Sequence, residues 1–119
     1  MKKINVLKKN EDFNRIIKEN KAFKTKNYII YLEKTEENIY HFGISVSKKI
    51  INAVGRNKIK RQIREIISKK IYKNNFNCII IVKRSFLDND FQKNKLELEN
   101  ALEKLNIVKE DKNEKEKNN

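Results

Sequence analysis

The chain has 119 residues, a formal net charge of +13 at pH 7 and no proline. This length provides one domain with a single modest core, and the charge indicates a polyanionic partner, either nucleic acid or an anionic membrane surface. The longest apolar run, Cys78–Val82, is too short to cross a bilayer, and Met1–Asn5 does not lead into the apolar core of a signal peptide. We therefore expect a cytoplasmic protein.

The N-terminal part of the chain is predicted to form a basic arm followed by a short helix. Residues 1–9 carry four lysines and no acid, which predicts a flexible arm. Asn10 suits a helix cap, and Glu11 and Asp12 suit the positive end of a helix dipole. The apolar side chains that share one face are Phe13, Ile16 and Ile17. These features predict an amphipathic helix from Asn10 to about Asn20.

Three further segments are predicted to be strands. Residues 28–32 and 39–46 follow a basic connector at 21–26 and are separated by a polar turn at 33–38. Aromatic and β-branched residues dominate the first segment, and the second alternates apolar residues with small or polar ones. The third segment, 77–82, is apolar enough to be covered on both faces.

Two more helices are predicted. The first begins at about Asn52 or Arg56 and continues to Tyr72. The second is capped by Asp88 or Asp90. Its apolar residues repeat at helical spacing: Phe91, Leu98, Leu102 and Leu105.

The predicted elements define one domain. Residues 109–119 contain no apolar side chain, which predicts a disordered charged tail after a single domain at 10–108. The order α-β-β-α-β-α predicts an α+β fold in which helices pack on a small mixed sheet.

The sequence contains few groups that perform covalent chemistry. One histidine and one cysteine do not suffice for a structural zinc site or an internal disulfide. Gly43 and Gly55 are too far apart to form a glycine-rich phosphate loop. We expect His41 to be an ordinary polar side chain on a strand and Cys78 to be an inert core thiol. No catalytic residue and no metal site is therefore predicted in the protein.

The helix after residue 52 is predicted to bind phosphates. Its isoleucines share one face: Ile59, Ile63, Ile66 and Ile67. The opposite face is polar: Asn57, Lys60, Arg61, Arg64 and Ser68. Between Lys48 and Lys73 there are ten cations and one acid, and three of the five arginines of the chain lie in this helix. Arginine holds phosphate oxygens in two-point contacts. Because lysine is abundant throughout the chain, biased composition alone is an alternative explanation for the clustering.

Three segments carry a resemblance to a known family. Phe42–Lys49 and Asn52–Glu65 are similar to the signature of the bacterial ribonuclease P protein component, and Leu7–Phe13 resembles the usual opening of that family. The match extends over about residues 5–105. Lys58 stands where the Arg-Asn-Arg motif of the family has its second arginine, which keeps the charge and loses the forked geometry.

The resemblance implies a function and a topology. Ribonuclease P removes the 5′ leader of precursor tRNA, and its catalytic subunit is an RNA that works with Mg²⁺. The protein subunit of the family binds that RNA near its catalytic core and helps to hold the leader. The family fold also has an unusual left-handed β-α-β crossover around the basic helix.

The resemblance also implies two sets of binding residues. The basic helix would face the RNA subunit through Arg56, Asn57, Lys58, Lys60, Arg61 and Arg64. A cleft between the N-terminal helix and the sheet would hold the leader, with Phe13 and Tyr31 lining it, Ile17 nearby, and Lys48 and Lys49 at its edge. Unpaired bases stack on aromatic side chains without regard to sequence. Core packing of Phe13 and Tyr31 remains an alternative at this point.

Three other functions are compatible with parts of the sequence. A structural RNA-binding protein of the ribosome or its assembly has the same composition. A DNA-binding protein would need a helix-turn-helix partner that the sequence does not clearly offer. A self-sufficient nuclease ranks last, for want of acid, base and metal-binding groups.

Overall fold

The computed structural model describes residues 2–111. Three helices and six strands make up this part of the chain. In chain order they are α1 (Asn10–Glu19), β1 (Ala22–Lys24), β2 (Tyr28–Lys34), β3 (Tyr40–Val46), α2 (Ala53–Ser68), β4 (Lys70–Tyr72), β5 (Phe76–Val82), α3 (Phe91–Lys104) and β6 (Val108–Asp111). Single 3₁₀ segments precede α1 at Lys3–Asn5 and α3 at Arg84–Asp88.

Four strands form a mixed sheet in the order β1-β2-β5-β3. β2 runs antiparallel to both β1 and β5, whereas β3 and β5 are parallel neighbours. A parallel pair needs a long crossover connection, and α2 lies within the one that joins β3 to β5. The predicted α+β fold with a small mixed sheet is confirmed, and the handedness of the crossover stays a prediction. β4 and β6 form a separate antiparallel pair.

The two faces of the sheet bury different sets of side chains. On one face, α2 and α3 cover the larger core, which includes Ile80, Phe42 and Tyr28. On the other face, Ile16 of α1 packs with Leu7 and Ile79. Ile79 and Ile80 point to opposite faces because side chains alternate along a strand. This explains why the apolar run of β5 is nearly continuous, as predicted for a strand covered on both sides.

The predicted basic arm is not free over residues 3–7. Val6 forms a parallel bridge with Phe42, and the Leu7 amide donates to the Phe42 carbonyl at 2.9 Å. Asn5 Nδ2 donates to the Tyr40 carbonyl at 2.8 Å, and Leu7 is buried. The prediction of a flexible arm is wrong for these residues, because Val6 and Leu7 hold the segment against β3. The many lysines around them in the sequence hide this apolar signal.

Other element boundaries differ from the prediction as well. The predicted connector at 21–26 contains β1, and α2 ends at Ser68 instead of continuing to Tyr72. β4 follows the C-terminal end of α2 and pairs with β6. β6 includes the first residues of the predicted tail. The N-cap of α1 is Lys9, which makes no side-chain capping bond, so Asn10 is not the cap. Residues 112–119 of the predicted tail lie outside the described residues.

Candidate nucleic-acid interface

α2 begins at a well-defined cap and has one apolar face. The Asn52 side chain accepts a hydrogen bond from the Gly55 amide at 2.9 Å, which satisfies one of the free N–H groups of the first turn. The buried residues of α2 are the four predicted isoleucines: Ile59, Ile63, Ile66 and Ile67. Because these isoleucines fix the rotation of the helix against the sheet, the cationic side chains are held toward solvent.

The cations of α2 have no anionic partner among the described residues. Asn57, Lys58, Arg61 and Arg64 are exposed, and Arg56 and Lys60 are half-buried. In residues 2–111 the ion pairs instead involve Arg15, with Asp12 and Glu33, and Lys70, with Glu99 and Glu103. The charge of α2 is therefore available to an external anion, as expected for a nucleic-acid surface.

Arg56 and Lys58 differ in their surroundings from the rest of the predicted set. Arg56 Nη1 donates to the Ile51 carbonyl at 3.0 Å, so part of this guanidinium fixes the turn before α2. Lys58 borders a small hollow that Phe86 and Leu87 also line. Both residues lie near the start of α2, so the predicted set does not form one uniform surface.

A cleft of about 630 Å³ separates α1 from α2 along the edge of β3. Phe13 and Ile17 line it from α1, and Lys60 and Arg64 line it from α2. Apolar and cationic groups thus face the same space from opposite walls. This arrangement suits a flexible strand that carries both bases and phosphates.

The free edge of β3 closes the cleft between the two helices. β3 is the last strand of the sheet, and the Leu7 amide covers its edge at the Phe42 carbonyl. Two residues farther on, Ile44 lines the cleft together with Val46. Since alternate residues of a strand direct their backbone groups to the same side, the N–H and C=O of Ile44 face the cleft.

Phe13 is held in the cleft by the sheet beneath it. A Cβ atom built on Gly43 would lie 3.0 Å from Cε1 and from Cε2 of Phe13, and closer still to Cζ. Gly43 has no positive φ angle, so the close approach of the ring, and not the backbone conformation, requires glycine here. The ring is half-buried. It therefore packs on the sheet with one part and faces the cleft with another.

The other three predicted leader residues do not line the cleft. Tyr31, on β2, packs against the small buried cluster of Leu7, Ile16 and Ile79 beneath α1. Lys48 and Lys49 are exposed in the turn after β3, and this turn begins just beyond Val46, which does line the cleft. The structure thus brings together Phe13, Ile17, Lys60 and Arg64 in the cleft, leaves Tyr31 under α1 on β2, and places the two lysines at one end.

Sequence reasoning missed several polar residues of the cleft. They are Lys8, Asn10, Asn14 and Ser45. Asn10, Asn14 and Ile17 are spaced at i, i+4 and i+7, so they lie along one helical stripe. That spacing was a usable signal, whereas the position of Lys8 depends on the pairing of Val6 with Phe42, which no local pattern predicts.

The buried titratable groups are not poised for nucleophilic chemistry. Burial raises the pKa of the Cys78 thiol, so the thiol stays protonated and inert at neutral pH. Burial likewise raises the pKa of Tyr28 and of Tyr72, whose hydroxyls donate to backbone carbonyls. Within residues 2–111, no three His, Cys, Asp or Glu side chains converge as metal ligands. None of the helices in this part of the chain is long and apolar enough to span a membrane.

Comparison with known proteins identifies relatives that match most of the chain. A family model described as Ribonuclease P matches residues 1–106. The ribonuclease P protein component of Mesoplasma florum is 38% identical over 101 residues, which cover 82% of this chain and 92% of the relative. That of Bacillus velezensis is 37% identical over 112 residues, which cover 92% of this chain and 96% of the relative.

Solved structures share the fold. A Staphylococcus aureus RNase P protein mutant superimposes with a TM-score of 0.79 and 34% identity, covering 88% of this chain and 91% of that chain. The range that the family model matches, residues 1–106, contains α1, α2, the four-stranded sheet and every residue that lines the cleft.

Proposed function

The chain belongs to the ribonuclease P protein family, and from this premise we propose that it binds the catalytic RNA of ribonuclease P and the 5′ leader of precursor tRNA. Membership in the family implies a ribonuclease P complex with an RNA partner.

The observation that carries the proposal is the composition of the cleft. Phe13 and Ile17 offer apolar surface on one wall, and Lys60 and Arg64 offer positive charge on the other. Base stacking on an aromatic ring and phosphate binding by cations are the two sequence-tolerant modes of single-strand recognition. A leader that differs from one tRNA to the next needs a site of this kind.

The exposed outer face of α2 is assigned to the RNA subunit. Arg61 and Asn57 are exposed and do not line the cleft, and Lys58 is exposed at the start of the helix. The Arg61 guanidinium has no ion-pair partner within residues 2–111 and can make two-point phosphate contacts, whereas Lys58 acts as a point charge. Arg56 contributes through the guanidinium nitrogens that do not hold the Ile51 carbonyl.

In this proposal the RNA subunit would supply the Mg²⁺ chemistry that cleaves the bond between the leader and the tRNA. The protein binds, orients and neutralises the leader, which is catalysis by positioning rather than by covalent chemistry. Burial raises the pKa of the Cys78 thiol, so this group stays protonated at neutral pH and is not assigned a chemical role.

The RNA that co-purifies with the protein tests the proposal. We expect sequencing to find the ribonuclease P RNA and precursor tRNA enriched over all other cellular RNA. The matched variant carries Arg61→Ala and Arg64→Ala, and is expected to lose most of that enrichment. Enrichment of ribosomal RNA instead would favour a structural role in the ribosome, and a preference for duplex DNA would favour a DNA-binding protein.

A further inference from the structure

A chain of hydrogen bonds fixes the orientation of His41 on the α1 side of the sheet. The Glu33 carboxylate accepts from Arg15 Nη1 at 2.6 Å and from Asn77 Nδ2 at 2.9 Å. The Asn77 amide is therefore oriented with Oδ1 toward His41 Nδ1, at 2.8 Å. Because an amide oxygen only accepts, Nδ1 carries the hydrogen and donates. Nε2 is left as the ring atom that meets a ligand.

His41 opens into a second hollow, of about 330 Å³, on the far side of the N-terminal segment from the cleft. The charged residues that line it are Lys3, Lys8, Lys9, Asp12, Arg15 and Glu37. Arg15 is occupied by Asp12 and Glu33. The three lysines form no ion pair within residues 2–111. Glu37 is exposed on the opposing turn. The hollow therefore has a surplus of uncommitted positive charge.

The hollow and the cleft are neighbours. Val6, Leu7 and Lys8 line both of them, so the N-terminal segment forms a ridge between the two. Its pairing with Phe42 holds the ridge against the edge of β3. A single-stranded RNA that occupies the cleft would reach the hollow by crossing the ridge of Val6, Leu7 and Lys8.

We propose that the hollow at His41 is a second phosphate-binding site, which takes a phosphodiester of single-stranded RNA and binds it more tightly as the pH falls. The inference deepens the proposed function and rests on it, since the same RNA strand would occupy the cleft. The ligand is defined by its chemistry: a monoanionic phosphodiester that accepts from Nε2–H of His41 and from the lysine ammonium groups.

The direction of the pH effect follows from the groups around the imidazole. Neutral His41 presents a lone pair at Nε2, which repels a phosphate oxygen, whereas the imidazolium donates a charge-assisted hydrogen bond there. The imidazolium is repelled by the ammonium groups of Lys3, Lys8 and Lys9. It is attracted by the carboxylates of Asp12, Glu33 and Glu37, of which Glu33 is already paired with Arg15. A bound phosphate offsets the lysines, so phosphate binding and proton binding assist each other.

NMR titration of the wild-type protein tests this coupling. His41 is the one histidine of the chain, so its ring C–H signal is unambiguous. The probe is a uridine decamer without terminal phosphates, because uracil does not titrate between pH 5.5 and 8. Saturating RNA is expected to move the midpoint of the His41 titration to higher pH. Affinity measured by fluorescence anisotropy is expected to rise about threefold to tenfold between pH 8 and pH 5.5, since a midpoint shift of one pH unit corresponds to a tenfold change.

Variants separate this site from the rest of the surface. The α-amino group of the chain also titrates in this pH range. His41→Gln is therefore expected to leave only the pH dependence of RNA affinity that the α-amino group supplies. Lys3→Ala with Lys9→Ala is expected to weaken decamer binding several-fold, while Lys93→Ala with Lys104→Ala, the same loss of charge at two exposed positions of α3, is expected to leave it unchanged.

Two outcomes would overturn the inference. One is an unmoved His41 titration in a sample that anisotropy shows to be saturated with RNA. The other is wild-type affinity in the Lys3→Ala, Lys9→Ala double variant. In either case RNA would still be bound through the cleft and α2, so the proposed function would survive. Failure of the decamer to bind at any pH would instead count against both.

Discussion

The ring of Phe13 occupies the space that a side chain at Gly43 would need. Gly43 lies in the middle of β3 and Phe13 lies in the first turns of α1, so this contact sets how closely the helix approaches the sheet. A glycine in a strand interior weakens the strand, and its presence often marks a close approach of another group. Here the approaching group is the aromatic ring that lines the cleft.

Gly43→Ala is expected to displace Phe13 and to widen or distort the cleft. Overpacking of this kind costs about 1–3 kcal/mol in the free energy of unfolding, measured by urea denaturation. In the Phe13→Leu background the same substitution is expected to cost less, because the smaller side chain leaves room for the methyl group. Equal costs in both backgrounds would contradict the contact as described.

The same ring tests the assignment of the cleft to the leader. Phe13→Leu is expected to weaken binding of precursor tRNA by the reconstituted complex by about 1–3 kcal/mol, the usual contribution of base stacking. Binding of mature tRNA, which has no leader, provides the control and should not change. A loss of equal size for both substrates would mean that Phe13 acts only in the core.

Arg61 and Arg64 are expected to act on different RNAs. Arg61→Ala should weaken binding of the RNA subunit and lower the slope of log affinity against log salt by close to one. Arg64 lines the cleft, so Arg64→Ala should reduce the preference of the complex for precursor over mature tRNA. Lys104→Ala, which removes a cation from an exposed position on α3, is the control. Identical effects of the first two variants would contradict the division of α2 into two surfaces.

Glu97 is expected to be essential for stability, although it lines neither the cleft nor the hollow at His41. Its carboxylate accepts from the Asn27 backbone amide at 2.7 Å, and also from the side chains of Asn27 and Thr25, which ties α3 to the turn before β2. Glu97→Gln replaces one acceptor oxygen with a donor. We expect a loss of about 1–3 kcal/mol in the free energy of unfolding, in line with the loss of partly buried hydrogen bonds to a charged group. Glu19→Gln, at an exposed acid, should have little effect on the melting temperature.

Stability is expected to fall in alkaline solution. Burial raises the pKa of Cys78 and of Tyr72 above their ordinary values of 9.0 and 10.0. The unfolded chain then releases these protons first as the pH rises. The groups therefore contribute their full stability below pH 9, and lose it as the pH rises toward the pKa values of the folded state.

Two measurements check the alkaline behaviour. Urea denaturation between pH 7 and pH 10.5 should show a declining free energy of unfolding. The Cys78 thiol should react with a disulfide reagent at pH 8 only after urea has unfolded the chain. Rapid reaction of the folded protein would contradict the burial of Cys78.

The parts of the fold that local periodicity determines were predictable. Ile59, Ile63, Ile66 and Ile67 repeat at helical spacing, and this repeat indicates both α2 and the face that it buries. The alternation in β3 and the apolar run of β5 likewise follow from how a strand presents its side chains. These patterns act over short distances, so the sequence alone reveals them.

Features that depend on pairing between distant segments were not predictable. β4 and β6 are three and four residues long, too short for any periodicity, and each is stabilised by the other. The burial of Leu7 depends on the free edge of β3, which follows from the strand order. The resemblance to the family identifies Gly43 only as part of a motif. The structure gives the physical reason for a glycine there, which is its contact with the ring of Phe13.

Cleavage of precursor tRNA at low Mg²⁺ concentration tests the central claim most directly. The measurement compares the cognate RNA subunit alone, the purified protein alone, and the two together. We predict no cleavage by the protein, slow cleavage by the RNA, and a marked acceleration by the complex that the Lys60→Ala, Arg64→Ala variant largely loses. Cleavage by the RNA-free protein, or an RNA rate that the protein leaves unchanged, would contradict the account.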